Sequence, residues 1–192
     1  AGITGFEGGF VGVEMFFVLS GYVVTESLLR TPKDRFFANL GEFYKKRVMR
    51  IVPTATLVIL VTVFAAYFLL GPAFNDDLLK DATWSSFFAE NFRQIETGAN
   101  YFIAGLDKSL LNHFWYLGIE QQYYLVFPVV FFALYKFTNR AVLASFLVVS
   151  IVASSWYCVF LTSADATSAY YSPYTRVWEI SLGALIALIP AR

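Results

Sequence analysis

Apolar residues in this chain come in long blocks, not in the two-residue alternation of a half-buried strand or the one-sided stripe of a surface helix. Five blocks approach the roughly 20 residues that a helix needs to cross a hydrocarbon core of about 30 Å. They are 10–29, 51–70, 110–135, 141–161 and 174–190. The third can tilt or run past the headgroups. The fifth is marginal, with Arg176 and Glu179 near its start. The polar stretch 71–109 is too long for a bare loop in a compact domain. Within it Leu78, Leu79, Ala82, Phe87 and Phe88 stand beside Asp77, Lys80, Asp81 and Glu90. That mixture predicts a short amphipathic helix on the membrane surface. The expected fold class is all-α: a polytopic transmembrane helical bundle of about five spans.

Composition agrees with this pattern. The chain is 58% hydrophobic, 19% aromatic and 15% charged, with a mean hydropathy of +0.59. An ordinary soluble domain has about 25% charged residues, so most of this surface faces lipid. The lone cysteine, Cys158, lies in an apolar run and reads as a small buried hydrophobe. With formal charge balanced at +0, no nucleic-acid partner is indicated.

The position of the charges sets an orientation. Arg30, Lys33, Arg35, Lys45, Lys46, Arg47 and Arg50 follow the first block, Lys136 and Arg140 the third, and Arg192 the fifth. The positive-inside rule makes these loops cytoplasmic and leaves the N-terminal end, 71–109 and 162–173 outside. Asp76, Asp77, Asp81, Glu90, Glu96, Asp107 and Asp165 all fall on that outer side. The chain opens Ala1-Gly2-Ile3-Thr4, without the marks of a signal peptide. It reads as a fragment, 1–192, of a larger transmembrane domain, with one more helix expected upstream.

Ionisable groups inside a span cost at least ~2.5 kcal/mol at its centre, so each one asks for a partner or a function. Glu14 lies about one turn into the first span, Glu120 lies in the third below His113 and Trp115, and Arg176 and Glu179 stand at i and i+3 in the fifth. All five ionisable groups are expected toward the outer half, with Arg176 paired to Glu179. His113 is the only histidine and a natural proton carrier. With no second histidine and no cysteine cluster, a transition-metal site is disfavoured. On the cytoplasmic side Arg47 and Arg50 lie one turn apart at the mouth of the second span with Lys46 alongside. Such a pair holds phosphate bidentately, though a topology anchor snorkelling to lipid phosphates needs the same residues.

Four stretches, in order, resemble the acyltransferase family 3 membrane enzymes. Gly8-Gly9-Phe10-Val11-Gly12-Val13-Glu14 and the following Met15 to Tyr22 resemble the family's second helix, and Phe43-Tyr44-Lys45-Lys46-Arg47-Val48-Met49-Arg50-Ile51-Val52-Pro53 its arginine motif. Trp115-Tyr116-Leu117-Gly118-Ile119-Glu120-Gln121-Gln122-Tyr123-Tyr124 resembles its Trp-Ser-Leu-x-x-Glu-x-Gln-Phe-Tyr motif, and Arg176-Val177-Trp178-Glu179 its later Arg-x-x-Glu helix. The chain departs from the pattern at Tyr116 for Ser, Glu14 for Asp and Gln121 for Glu.

The resemblance implies an enzyme of about ten helices that takes an acyl group, usually acetyl, from cytoplasmic acyl-CoA. Its acceptors would be sugars of lipopolysaccharide, peptidoglycan, exopolysaccharide or antibiotics at or across the bacterial inner membrane. Acetyl-CoA or another acyl-CoA is then the donor substrate, with no metal. Membrane lipid, a carbohydrate acceptor and a fused or partner periplasmic domain complete the expected partners. Arg47 and Arg50 would contact the donor's phosphates, and Lys46, beside them in the sequence, is a further candidate for that site. Glu120, Arg176 and Glu179 would line the transfer cavity. Glu14 and His113 stand as further catalytic candidates on their position and chemistry alone, and the role of the family's first-helix histidine does not pass to His113. The family's first helix, with its essential histidine, would precede Ala1, and further helices would follow Arg192, so this piece alone is expected to be inactive. Two other classes use the same polar residues: a transporter or flippase with Glu14, Glu120 and Arg176 on its path, and a scaffold that anchors a partner.

Overall fold

The computed structural model describes residues 9–31, 36–69, 75–98, 109–137 and 139–189. Lys33, Arg35, Asp107 and Arg192, used above for orientation, lie outside these residues, as do Gly8 and Pro190. The described chain forms eight helices: α1 (Gly9–Leu29), α2 (Phe36–Leu69), α3 (Asn75–Ser86), α4 (Glu90–Glu96), α5 (Phe114–Phe137), α6 (Arg140–Ala164), α7 (Ala166–Tyr171) and α8 (Val177–Ala187). No strand occurs among the described residues. Helices satisfy every backbone group within one segment, which is what a chain in lipid requires. Four of them, α1, α2, α5 and α6, are long and apolar enough to cross a membrane. The chain is that of a multi-pass membrane protein.

Two elements differ from the expected blocks. α2 begins well before the second apolar block and carries Tyr44 to Arg50 inside its helix. Pro53 lies within it as well, a residue that removes one ladder hydrogen bond. The fifth block yields the 11 residues of α8, a shorter apolar helix of about 16 Å beside the four of membrane-crossing length. The polar stretch holds two short helices, α3 and α4, where one was expected. α3 buries Leu78 and Ala82 against Ala55, Ile59 and Ala66 of α2 and Phe114 of α5. Leu79 and Phe87 remain exposed.

α1 and α8 run side by side in the same direction and form the tightest pair. A Cβ on Gly21 would lie 1.9 Å from the carbonyl oxygen of Ile180, and one on Gly183 would lie 1.8 Å from that of Val18. Only glycine permits this approach, the small-residue packing that replaces hydrophobic drive between helices in lipid. α5 joins the pair through an apolar core of Val24, Leu28, Tyr124, Phe127, Phe131, Leu143, Leu147, Ala184 and Leu188. A second core of Phe17, Trp115, Ile119, Tyr170, Tyr171 and Ile180 closes the end where α7 and α8 begin. α6 is tied to the start of α8 by Ser154, whose hydroxyl donates to Tyr174 O at 2.6 Å and accepts from Trp178 N–H at 3.1 Å.

Candidate functional site

The polar residues fall into three groups along the bundle. The first is at the end where α8 begins. Arg176 is the residue before α8 and Glu179 is in its first turn, so the i, i+3 spacing sets them face to face. Arg176 Nη1 is 2.8 Å from Glu179 Oε1 and 4.0 Å from Glu14 Oε1 on α1. Its Nε donates to Tyr170 O at 3.2 Å, and its guanidinium lies 4.9 Å from the Tyr170 ring and 5.9 Å from the Trp115 ring. Glu179 is fully buried, and its Oε2 has no hydrogen-bond partner among the described residues. One guanidinium thus faces two carboxylates, with a carboxylate oxygen left for another donor.

The second group lies deeper. Glu120 is buried, and its Oε1 accepts hydrogen bonds from Ser20 Oγ of α1 and from Tyr124 OH one turn along α5. The Ser20 and Tyr124 hydroxyl oxygens also touch each other. Ser20 is six residues beyond Glu14 on α1, about 9 Å along a helix axis. The structure therefore brings Glu14, Arg176 and Glu179 together and sets Glu120 apart from them, below their level. The sequence placed all of these groups in one layer because helix number and residue position do not fix relative helix shift.

The third group is basic. A cavity of about 400 Å³ opens between the end of α1 and α2. Arg30, Lys46, Arg47 and Arg50 line it together with Glu42, Asn39, Ser27 and Thr31. Lys46 pairs with Glu42 at 2.6 Å and Arg30 with Glu26 at 2.5 Å, exposed pairs that contribute little to stability. Arg47 does not lie at the rim. Its guanidinium sits 4.1 Å above the ring of Tyr124 and 5.5 Å from that of Phe43. The side chains of Arg47 and Arg50, which the spacing put on one face, do border one cavity. Its excess of cations fits a polyanion.

His113 joins none of these groups. It is exposed in the turn before α5, 4.9 Å from the Phe114 ring centroid. Desolvation holds its imidazole below the usual value, against a backbone hydrogen bond at Leu110. Sequence reasoning also missed a buried polar knot at the same end. Gln122 Nε2 donates to Phe88 O at 3.0 Å and Asn91 Oδ1 at 2.8 Å, while Asn91 Nδ2 donates to Tyr171 O at 3.3 Å. Gly118 of α5 makes room for it, since a Cβ there would lie 2.7 Å from Phe88 O. Beside the knot Glu90 accepts from Gln94 Nε2 at 2.5 Å and Ser85 Oγ at 3.2 Å. Among the described residues no cluster of three or more metal-ligating side chains occurs.

Glu120, Arg176 and Glu179 are buried within a bundle of membrane-length helices, the setting in which ionisable side chains mark a functional site. Comparison with known proteins narrows the class: the family described as an acyltransferase domain matches residues 2–192. The chain belongs to the acyltransferase 3 family. It is 33% identical over 186 residues to the O-acetyltransferase OatA of Staphylococcus aureus, covering 95% of this chain and 30% of that protein. It is 30% identical over 186 residues to the peptidoglycan O-acetyltransferase OatA of Listeria monocytogenes, with the same two shares. The chain thus spans about a third of the length of these relatives. No solved structure matches it significantly.

Proposed function

We propose that this chain is a portion of the membrane-embedded domain of an inner-membrane O-acyltransferase that moves an acetyl group from cytoplasmic acetyl-CoA to a cell-envelope carbohydrate, with peptidoglycan as the first acceptor to test. The observation that carries the reading is the separation of a cationic cavity at one end from a carboxylate–guanidinium cluster at the other, with Glu120 buried between them. A donor with several phosphates needs the first, and a sugar hydroxyl attacking a thioester carbonyl needs the second.

In this account the basic loops face the cytoplasm, as the positive-inside rule requires. Arg47, Arg50 and Lys46 hold the donor phosphates. At the opposite end Arg176 stabilises the negative charge that develops on the carbonyl oxygen, and Glu179 fixes the position of its guanidinium. Glu14 adds a second carboxylate facing that arginine. The Glu120 carboxylate orients or assists the proton acceptor along the path. The names of the relatives support acetyl as the group and peptidoglycan as the acceptor. The test uses the full-length parent in membranes, labelled acetyl-CoA, and an Arg47→Ala, Arg50→Ala double variant. Label entering envelope glycan with wild type and lost with the variant is the expected result. Equal labelling by both would refute the donor site.

A further inference from the structure

The arginine motif reaches further into the bundle than a topology anchor needs. Tyr124, which lies beneath the Arg47 guanidinium, is the eleventh of the 24 residues of α5, and Ser20 is the twelfth of the 21 residues of α1. The contact is therefore made in the middle of both helices. The face of the Tyr124 ring carries the guanidinium at 4.1 Å while its hydroxyl donates to the Glu120 carboxylate. Ser20 supplies the second donor to the same carboxylate oxygen. Tyr124 is 4% exposed, Glu120 6% and Ser20 7%, so these contacts form out of water, where each is strengthened. One aromatic side chain thus separates the basic cavity from the buried carboxylate. A second ring, Phe43, flanks the guanidinium at 5.5 Å. Aromatic faces hold a guanidinium by its plane and leave its in-plane N–H fork free for an anion.

We propose that Tyr124 is a positioning residue that couples the donor-binding Arg47 to Glu120, which places Glu120 at the donor end of the transfer path and not in the Arg176 cluster. The proposal rests on the donor reading given above. The ring and the hydroxyl of Tyr124 have separable tasks. The ring sets the Arg47 fork toward the cavity and so governs donor affinity. The hydroxyl, with Ser20, fixes the Glu120 carboxylate and so governs the rate once donor is bound.

The experiment measures acetyl transfer from labelled acetyl-CoA by the full-length parent and its Tyr124→Phe, Tyr124→Leu and Ser20→Ala variants. Tyr124→Phe keeps the ring and loses a hydrogen bond to a charged group, so kcat falls about 10- to 100-fold while KM for acetyl-CoA stays within about twofold of wild type. Tyr124→Leu also loses the cation–π contact, and KM rises about 2- to 30-fold. Ser20→Ala lowers kcat and leaves KM in place. Wild-type kcat in Tyr124→Phe, or wild-type KM in Tyr124→Leu, would overturn the proposal. Thermal unfolding of wild type, Tyr124→Leu, Arg47→Ala and the double variant, without donor, reads the pair apart from any reaction. The double variant is expected to unfold no lower than the worse single variant, and additive losses would overturn the coupling. Absence of acetyl-CoA turnover in wild type would count against the donor reading alone, since the unfolding cycle still decides the coupling.

Discussion

Replacing Gly21 by alanine tests the packing that assembles the Glu14–Arg176–Glu179 cluster. The new Cβ would lie 1.9 Å from Ile180 O and 2.8 Å from Ile180 C, whereas carbon and carbonyl oxygen in close helix contact sit about 3.3–3.6 Å apart. The obstacle is backbone, so no rotamer relieves it and the two helices must part by ~1.4 Å or more if the gap is to reach that contact distance. Overpacking of this kind costs about 1–3 kcal/mol, occasionally more. The higher helix propensity of alanine returns at most about 1 kcal/mol, so net destabilisation remains. The displacement also acts on chemistry. Glu14 rides on α1 and Arg176 leads α8, and they are already 4.0 Å apart, so separating the helices breaks their pairing. The assay is thermal unfolding of the purified full-length parent in detergent, with Gly183→Ala as the reciprocal variant and Gly41→Ala as control. A Cβ on Gly41 meets nothing within 4 Å, so that variant should match or exceed wild type. If Gly21→Ala and Gly183→Ala unfold at or above the wild-type temperature, the close α1–α8 contact is wrong.

Three further outcomes follow from single contacts. Burial pushes the Glu90 carboxyl up to about 8 from an ordinary 4.5, with Asp81 adding to the rise and Gln94, Ser85 and Arg93 opposing it. The folded state keeps a proton that the unfolded state releases above 4.5, so stability falls as pH rises from that value through about 8. Unfolding temperatures across this window should decline in wild type and decline less in Glu90→Gln; an equal slope in both would remove Glu90 as the cause. Gln122→Ala strands the Phe88 carbonyl and Asn91 amide oxygen, at about 1–3 kcal/mol for a buried unsatisfied group, and faster amide exchange in 85–96 than in wild type would register it. Ser154→Ala removes the bridge between α6 and the start of α8, leaving Trp178 N–H without its acceptor and lowering the unfolding temperature by a loss of similar size.

The class of fold was legible because long apolar blocks in a charge-poor chain have few physical solutions. The Arg176–Glu179 pair was legible for the same kind of reason: i, i+3 spacing on one helix is a local rule. What lay beyond reach was set by contacts between helices. Glu120 has Tyr124 one turn along its own helix, but nothing in its neighbourhood signals that its other partner is Ser20, 100 positions earlier. Arg47 and Arg50 read as rim residues because the apolar block starts at 51, yet α2 begins at Phe36 and carries Arg47 down to the middle of α5. A long arginine stem can line apolar surface while its head finds an aromatic face, so the edge of an apolar block underestimates how deep a cation can go. The Gln122–Asn91–Phe88 knot escaped notice for a further reason: polar residues near a span end look like ordinary interface residues until two short helices fold back over them.

The claim at the centre of this account is that the donor enters from the basic face and the acetyl group leaves at the other. Sealed vesicles of known orientation containing the full-length parent test it directly, with labelled acetyl-CoA supplied to one face and glycan acceptor to the other. Label on the glycan only when acetyl-CoA meets the face bearing Arg47 and Arg50 is the predicted result. Labelling that requires donor and acceptor on the same face, or donor on the Arg176 side, would contradict it.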